Sequence, residues 1–455
     1  MDNITCLLIL QPLYKMTKEK SAWPKARKFF NDVHLWLGLI SGIIIFMVCL
    51  SGTIYVFNTE VKEMATPHLY KVEVADGAKK LPIETLMKKV AAEVGGKVVS
   101  VKIPSQADRT YTITIKKPEE AAPEKGVEKR SDEKRGEKKP EGREKRGEGG
   151  PEKGKEKKGE KEGPQGGNRG TAYMVNPYTG EVLGDLQSAK TFSTEFMKTL
   201  FSLHRWLLLD KIEEPIFGEL ENRKLGSYIT GIATILFTFG VITGIIIWIP
   251  RKVKSWKNGL KVKWSSNWKR INHDLHNSLG FYTCIILLVM GLTGPFFSFS
   301  WYRDGLRKSL GTYQAVDAPK PEEPISNFSL KGNFAQLNIN DYLAAADKEL
   351  AYSGDYTVTL PADSVATVNI TKNKIGFFAP AAADKLTLDQ YSASVLKKEV
   401  FKDKPFNERL SGSVKALHLG DVYGMFSKII YFISCLIATS LPVTGTLIWI
   451  NKMKK

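Results

Sequence analysis

Apolar residues gather into four blocks along the chain, Leu35–Phe57, Ile229–Ile249, Phe281–Phe299 and Ile429–Ile450, and none of them contains a charged side chain. Each block is about 20 residues long, which as a helix rises about 30 Å and matches the hydrocarbon core of a bilayer. Helices apolar on every face suit lipid better than a soluble core. Between the blocks the period of the pattern changes. The runs "LPIETLMKKVAAEV" (81–94) and "NINDYLAAADKEL" (338–350) carry apolar residues at helical spacing. The runs "VVSVKIP", "RTYTITIKK", "YTVTLP", "VATVNIT" and "KLTLDQYSASVL" read as strands. "TAYMVNPYTGEVLGD" (171–185) reads as strand, Asn-Pro-Tyr-Thr-Gly turn, strand.

One stretch, 118–170, has no such pattern and is almost wholly Lys, Glu, Gly, Arg and Pro. It offers no apolar surface to bury, so it is expected to be a disordered insertion at a loop tip.

The formal net charge of +18 changes the picture because of where it sits. Lys15, Lys18, Lys20, Lys25, Arg27 and Lys28 precede the first block; "RKVKSWKNGLKVKWSSNWKR" joins the second to the third; "NKMKK" follows the fourth. Basic flanks of short loops face the cytoplasm, which puts both termini inside and the two long segments outside. The expected organisation is a cytoplasmic segment 1–28, a membrane helix 29–57, an outer domain 58–228 interrupted by the charged tract 118–170, a membrane helix 229–249, a cytoplasmic basic loop 250–272, a membrane helix 273–299, a second outer domain 300–428, a membrane helix 429–450 and a cytoplasmic tail 451–455. The start, "MDNITCLLILQPLYK", lacks the features of a cleaved signal peptide, so the first membrane helix is expected to serve as an uncleaved anchor. No aromatic-rich basic module accompanies the charge, so nucleic acid is not the expected partner; membrane lipid is. Cys6, Cys49, Cys284 and Cys435 form no disulfide framework or thiolate metal spacing.

The chain also repeats itself. Asp32, His34, Leu37 and Gly38 recur at the same spacing as Asp274, His276, Leu279 and Gly280. "SLHRWLLLD" around His204 precedes the second block, and "ALHLGDVYG" around His418 precedes the fourth. Each block carries a Ser-Gly or Thr-Gly pair: Ser51-Gly52, Thr243-Gly244, Thr293-Gly294 and Thr444-Gly445. Each half therefore reads histidine, helix, outer domain, histidine, helix. The fold class expected is an α-helical integral membrane protein, four transmembrane helices arranged as two repeats with two extracytoplasmic α+β domains.

The histidine before each helix, the Thr-Gly pairs and the "NPYTGEV" strand-turn-strand resemble the PepSY-associated transmembrane family, from about residue 26 to 449. The two-domain, four-helix arrangement is similar to its ferric-siderophore reductase branch. That resemblance implies PepSY-like outer domains, a bacterial inner membrane and b-type haem. It also implies an extracytoplasmic ferric siderophore or other iron chelate as electron acceptor, releasing Fe(II) for uptake. No flavin or nicotinamide fingerprint is present, so the electron donor is expected to be quinol or a separate cytoplasmic reductase.

Imidazole is an axial haem ligand, and bundles build cofactor sites from inward-facing side chains. Of the six histidines, His34, His204, His276 and His418 occupy the repeated positions. Depth pairs His34 with His276 inside and His204 with His418 outside, giving two haems. Gly244 and Gly445 fall at the inner level, Gly52 and Gly294 at the outer. They offer room for a macrocycle, or small-residue helix packing. Arg205 is a candidate partner for a haem propionate. His273 shares a helical face with His276 and is the alternative ligand; His68 has no repeat partner. Trp36 and Trp206 each follow a candidate ligand by two; they could pack near haem or anchor the interface, and anchoring is the expected role. The competing function is non-enzymatic, a membrane tether for two binding or assembly modules, which has no need of a symmetric histidine quartet.

Overall fold

The computed structural model describes residues 23–117, 170–249, 256–315, 317–319, 322–331, 337–375 and 383–454. Residues 1–22, the tract 118–169 and 250–255 of the basic loop lie outside that description, and with them nearly all of the expected insertion and N-terminal segment.

The described residues begin with the long helix α1 (Trp23–Tyr55) and a short helix α2 (Asn58–Ala65). Helix α3 (Ile83–Val94) and strands β1 (Lys97–Ile103), β2 (Tyr111–Lys116), β3 (Thr171–Val175) and β4 (Val182–Asp185) follow. Helix α4 (Phe192–Trp206) leads into the long α5 (Asn222–Trp248), and α6 (Trp268–Thr293) returns. Helix α7 (Ser300–Ser309), helix α8 (Ile339–Glu349) and strands β5 (Gly354–Thr359), β6 (Val368–Lys374), β7 (Asp384–Leu388) and β8 (Val395–Glu399) make the second segment between long helices. A short helix α9 (Val414–Leu419) precedes the last long helix, α10 (Met425–Met453). Four helices, α1, α5, α6 with its extension to Phe297, and α10, are long and apolar enough to cross a membrane. They close into a bundle in which α1 and α6 each pack on both α5 and α10.

Each expected strand is present, and each outer segment is a helix over four strands. The two segments are not separate domains, however. Strand β1 pairs antiparallel with β5, Ser100 opposite Thr359 and Ile103 opposite Tyr356, so one eight-stranded sheet runs β4-β3-β2-β1-β5-β6-β7-β8. The reason is the edge. Each half alone would leave β1 or β5 with a row of unpaired backbone groups, and pairing satisfies both. One face of this sheet is covered by Leu86 and Val90 of α3 and by Ile339, Tyr342 and Ala346 of α8, over Val101, Ile113, Val358 and Ile370. Glu84 accepts a hydrogen bond from Ile339 N at 2.6 Å, tying the covering helices together.

The two hairpin turns share a device. Asn176 Oδ1 accepts from Tyr178 N at 2.9 Å and Gly180 takes φ +72°. In the second half Asp389 Oδ1 accepts from Tyr391 N at 2.8 Å, and Ala393 takes φ +55°.

Candidate functional site

The bundle brings the histidines together in two pairs. The rings of His34 (α1) and His276 (α6) lie 6.2 Å apart between centroids at an interplanar angle of 79°. The rings of His204 (α4) and His418 (α9) are also 6.2 Å apart, at 59°. Two imidazoles on opposite sides of one first-row metal, each nitrogen about 2.0–2.1 Å away, put their centroids roughly 6–6.5 Å apart.

All four rings are held through Nδ1. His34 Nδ1 lies 2.9 Å from Gly240 O and 3.2 Å from Thr243 Oγ1, and His204 Nδ1 lies 2.8 Å from Val48 O. A carbonyl only accepts, so these two nitrogens carry the proton. His276 Nδ1 lies 2.9 Å from Thr444 Oγ1, and His418 Nδ1 3.0 Å from Thr293 Oγ1. Each of these hydroxyls already donates its own hydrogen to its helix, Thr444 to Ser440 O and Thr293 to Val289 O, so it accepts from the imidazole. The tautomer is thereby the same four times, Nδ1–H with the lone pair on Nε2. That is the state a metal ligand needs, with the opposite nitrogen donating to an oxygen. Burial keeps His204 below the usual imidazole range, and burial with the nearby His204 pushes His418 down to about 3, so the outer rings are neutral.

The glycines have a more direct task than admitting a macrocycle. A Cβ on Gly52 would stand 3.0 Å from Cε1 of His204, on Gly244 3.3 Å from Cε1 of His34, on Gly445 3.2 Å from Cε1 of His276, and on Gly294 3.6 Å from Cε1 of His418. Gly52, Gly244 and Gly445 each make room for an imidazole, whereas Gly294 makes room for Thr234 Cγ2, 2.9 Å from where its Cβ would stand, and meets His418 at ordinary contact distance. In Thr243-Gly244 and Thr444-Gly445 the hydroxyl holds Nδ1 while the glycine clears the ring edge; Thr293 also holds Nδ1. Ser51 departs from this and donates to Met47 O. Sequence reasoning noticed the pairs but assigned nothing to Thr243, Thr293 and Thr444; their recurrence beside each glycine was the available signal.

The inner pair opens into a cavity of about 310 Å³ between the helices, lined also by Trp248, Phe281 and Leu287. That is the lower end of the range of small-molecule and cofactor sites. His34 and His276 line this cavity, and all four histidines are half-buried residues. At the outer pair Phe297 lies 5.4 Å from the His418 ring. Arg205 donates to Phe297 O at 3.3 Å, and its buried Nε has no partner among the described residues. The chain leaves this site through Leu207 and Leu208, both at positive φ, a sharp reversal that apolar side chains rarely make.

The remaining expectations divide. His273 is exposed beside Asp274, at 3.4 Å, and it is His276 that faces His34. His68 is exposed on the outer part. Trp36 is 61% exposed, as an interface anchor would be. Trp206 is not such an anchor: it is buried, with the Arg223 guanidinium 4.2 Å over its ring and Phe201 packed edge-on at 5.3 Å. Of the basic residues flanking the inner pair, expected there from the cytoplasmic bias alone, Arg27 donates to Ile247 O at 2.8 Å and Arg270 pairs with Asp274 at 2.8 Å. Among the described residues no group of three or more His, Cys, Asp and Glu is placed to hold a metal ion.

A family model described as "PepSY-associated TM region" matches residues 32–452. No curated protein matches the chain.

Proposed function

The chain belongs to the PepSY-associated TM family, and from that premise we propose that it is a haem-containing membrane reductase of the ferric-siderophore reductase type. On this reading it binds two b-type haems, one on His34 and His276 and one on His204 and His418. The observation that carries the reading is the geometry of the two pairs: centroids at 6.2 Å in both, with every ring held through Nδ1. Two imidazoles are too few ligands for a closed protein metal site but suit a metal that arrives with its own equatorial nitrogens. Arg205, with its unpaired buried Nε, is the side chain to hold a propionate of the outer group.

When bound, the haem irons supply reversible one-electron chemistry. The protein supplies the rest. Thr444, Thr293 and the carbonyls of Gly240 and Val48 fix the tautomer and raise the basicity of each ligand. The apolar bundle wall excludes water from the inner site. The basic flanks support a topology with both termini in the cytoplasm and 58–228 and 300–428 outside, as two repeats in a bacterial cytoplasmic membrane. The donor is then a quinol or a separate reductase within, and the acceptor a ferric siderophore or other iron chelate without. Reduction to Fe(II) loosens a hard-oxygen chelate built for Fe(III), which frees the metal for uptake.

The test is the visible spectrum of the detergent-purified protein, oxidised and then reduced with dithionite. Two haems per chain are expected. His34→Ala and His418→Ala should each lower haem content by about half, and His273→Ala should leave it unchanged. A protein without haem would replace this reading with that of a membrane-tethered binding module.

A further inference from the structure

A second cavity of about 310 Å³ lies where the end of α1, α2 and α4 meet, behind the outer histidine pair. Phe201, which lines it, precedes His204 by one helical turn on α4; Tyr55, also lining it, follows by one turn the Gly52 that stands against the His204 ring. The Phe201 ring lies 5.3 Å from Tyr55 and 5.3 Å from Trp206, so aromatic side chains separate this cavity from the imidazole.

Its other wall is charged. Lys62, Lys198 and Lys211 line it. Lys198 is neutralised by Glu195 at 2.7 Å. Lys211 donates to Thr199 Oγ1 at 3.3 Å, and among the described residues neither Lys62 nor Lys211 has a carboxylate in ion-pair contact. Glu195 and Asp210 also line the cavity, the Asp210 carboxylate accepting from Ser202, so the three ammonium groups face two carboxylates. Asn58 adds an amide whose buried Oδ1 has no partner among the described residues. Burial and the nearby Lys198 ammonium both depress Lys62, as they do an ammonium short of a counter-charge.

We infer that this cavity is the docking site of the electron acceptor, and that the acceptor it takes is an anionic, carboxylate-bearing ferric chelate. The inference rests on the reductase reading for the word acceptor and on the cavity alone for the anion. Among the described residues Lys62 and Lys211 stand outside any ion pair on a lining with one more ammonium than carboxylate, which favours negative charge, and Tyr55 and Phe201 give an apolar floor for a ligand body. The position, one turn from His204, is what an acceptor of that site requires. An anionic lipid headgroup shares the chemistry and is the source to be separated from a chelate.

The experiment uses the full chain in phosphatidylcholine nanodiscs, titrated calorimetrically with gallium(III) citrate, a redox-inert stand-in for ferric citrate. Binding that weakens as salt rises is expected. Lys62→Gln and Lys211→Gln should each weaken it about five- to tenfold, with the thermal unfolding profile of the protein unchanged. A neutral ferric hydroxamate should not compete. Equal affinity in both variants, or equal affinity for the neutral chelate, would overturn the assignment. So would loss of citrate binding when phosphatidylglycerol is added to the nanodisc, since the cavity would then belong to lipid. Citrate binding retained by a protein that carries no haem would sink the reductase reading and leave the anion site standing.

Discussion

A methyl group at residue 52 would lie 3.0 Å from both Cε1 and Nδ1 of His204, tighter than most side-chain contacts, so the neighbour must give by a few tenths of an ångström. Either the ring swings or the helices part, and the ring is held at Nδ1 by Val48 O on the same helix as Gly52. Gly52→Ala should therefore disturb the outer pair alone, seen as loss or spectral change of about half the haem, while Gly305→Ala on α7, with open space around it and lining neither cavity, should do nothing. A normal spectrum in Gly52→Ala would show that the ring has slack. Thr444 acts through a hydrogen bond rather than through space. In Thr444→Val the acceptor for His276 Nδ1–H is gone while the shape is nearly kept. Affinity of the inner site should fall about 10- to 100-fold, the usual cost of losing such a partner, and Thr444→Ser should restore it. Equal haem retention in the Val and Ser variants would mean that the hydroxyl has no part in setting the tautomer. Other residues kept their roles hidden from the sequence. Lys372 follows Val368 and Ile370 on the buried face of β6 and is 1% exposed, a cation where the alternating pattern calls for an apolar side chain. It is held by Asp347 at 2.7 Å and Leu350 O at 2.7 Å, partners far along the chain that no local pattern announces.

At the scale of elements, the flanks of the charged tract are already neighbours. Strands β2 and β3 pair antiparallel, Ile115 opposite Thr171, so the backbone on either side of 118–169 is within hairpin reach. Replacing 118–169 by a short Asn-Gly turn should leave the unfolding temperature and haem content within error of the parent. A drop in either would show that the tract stabilises the sheet or holds a partner needed for assembly. The strands themselves were legible because alternation marks one buried face, and the four long helices because nothing but lipid suits so apolar a run. The union of the two halves was not legible. A period of two says which face of β1 and β5 is buried, but the choice of neighbour depends on contacts hundreds of residues apart, and each strand reads equally well as an edge. The histidine pairs were legible for a different reason: the repeat and the depth along each helix were both written in spacing, and spacing survives into the fold.

Taken whole, the molecule places its two histidine pairs at opposite ends of the bundle. On α1 the glycine facing His204 lies five turns beyond His34, a rise of about 27 Å. On α6 the glycine facing His418 lies five turns beyond His276, so two helices report the same separation. That length is close to the hydrocarbon thickness of a bilayer, which puts one pair near each surface. A tether has no need of such an arrangement, whereas on the proposed reductase reading it would serve as a path for electrons from one side to the other. A path fails when either end is removed, whereas two independent sites fail one at a time. In sealed vesicles supplied with quinol, His276→Ala and His204→Ala should therefore each abolish reduction of a ferric chelate on the opposite side, although each retains the haem of the other pair. A membrane-impermeant reductant added on the outer side should still reduce the outer haem of His276→Ala, because that end does not need the inner one. If instead either variant keeps about half the transmembrane rate, the two sites work separately and the bundle is not a conduit.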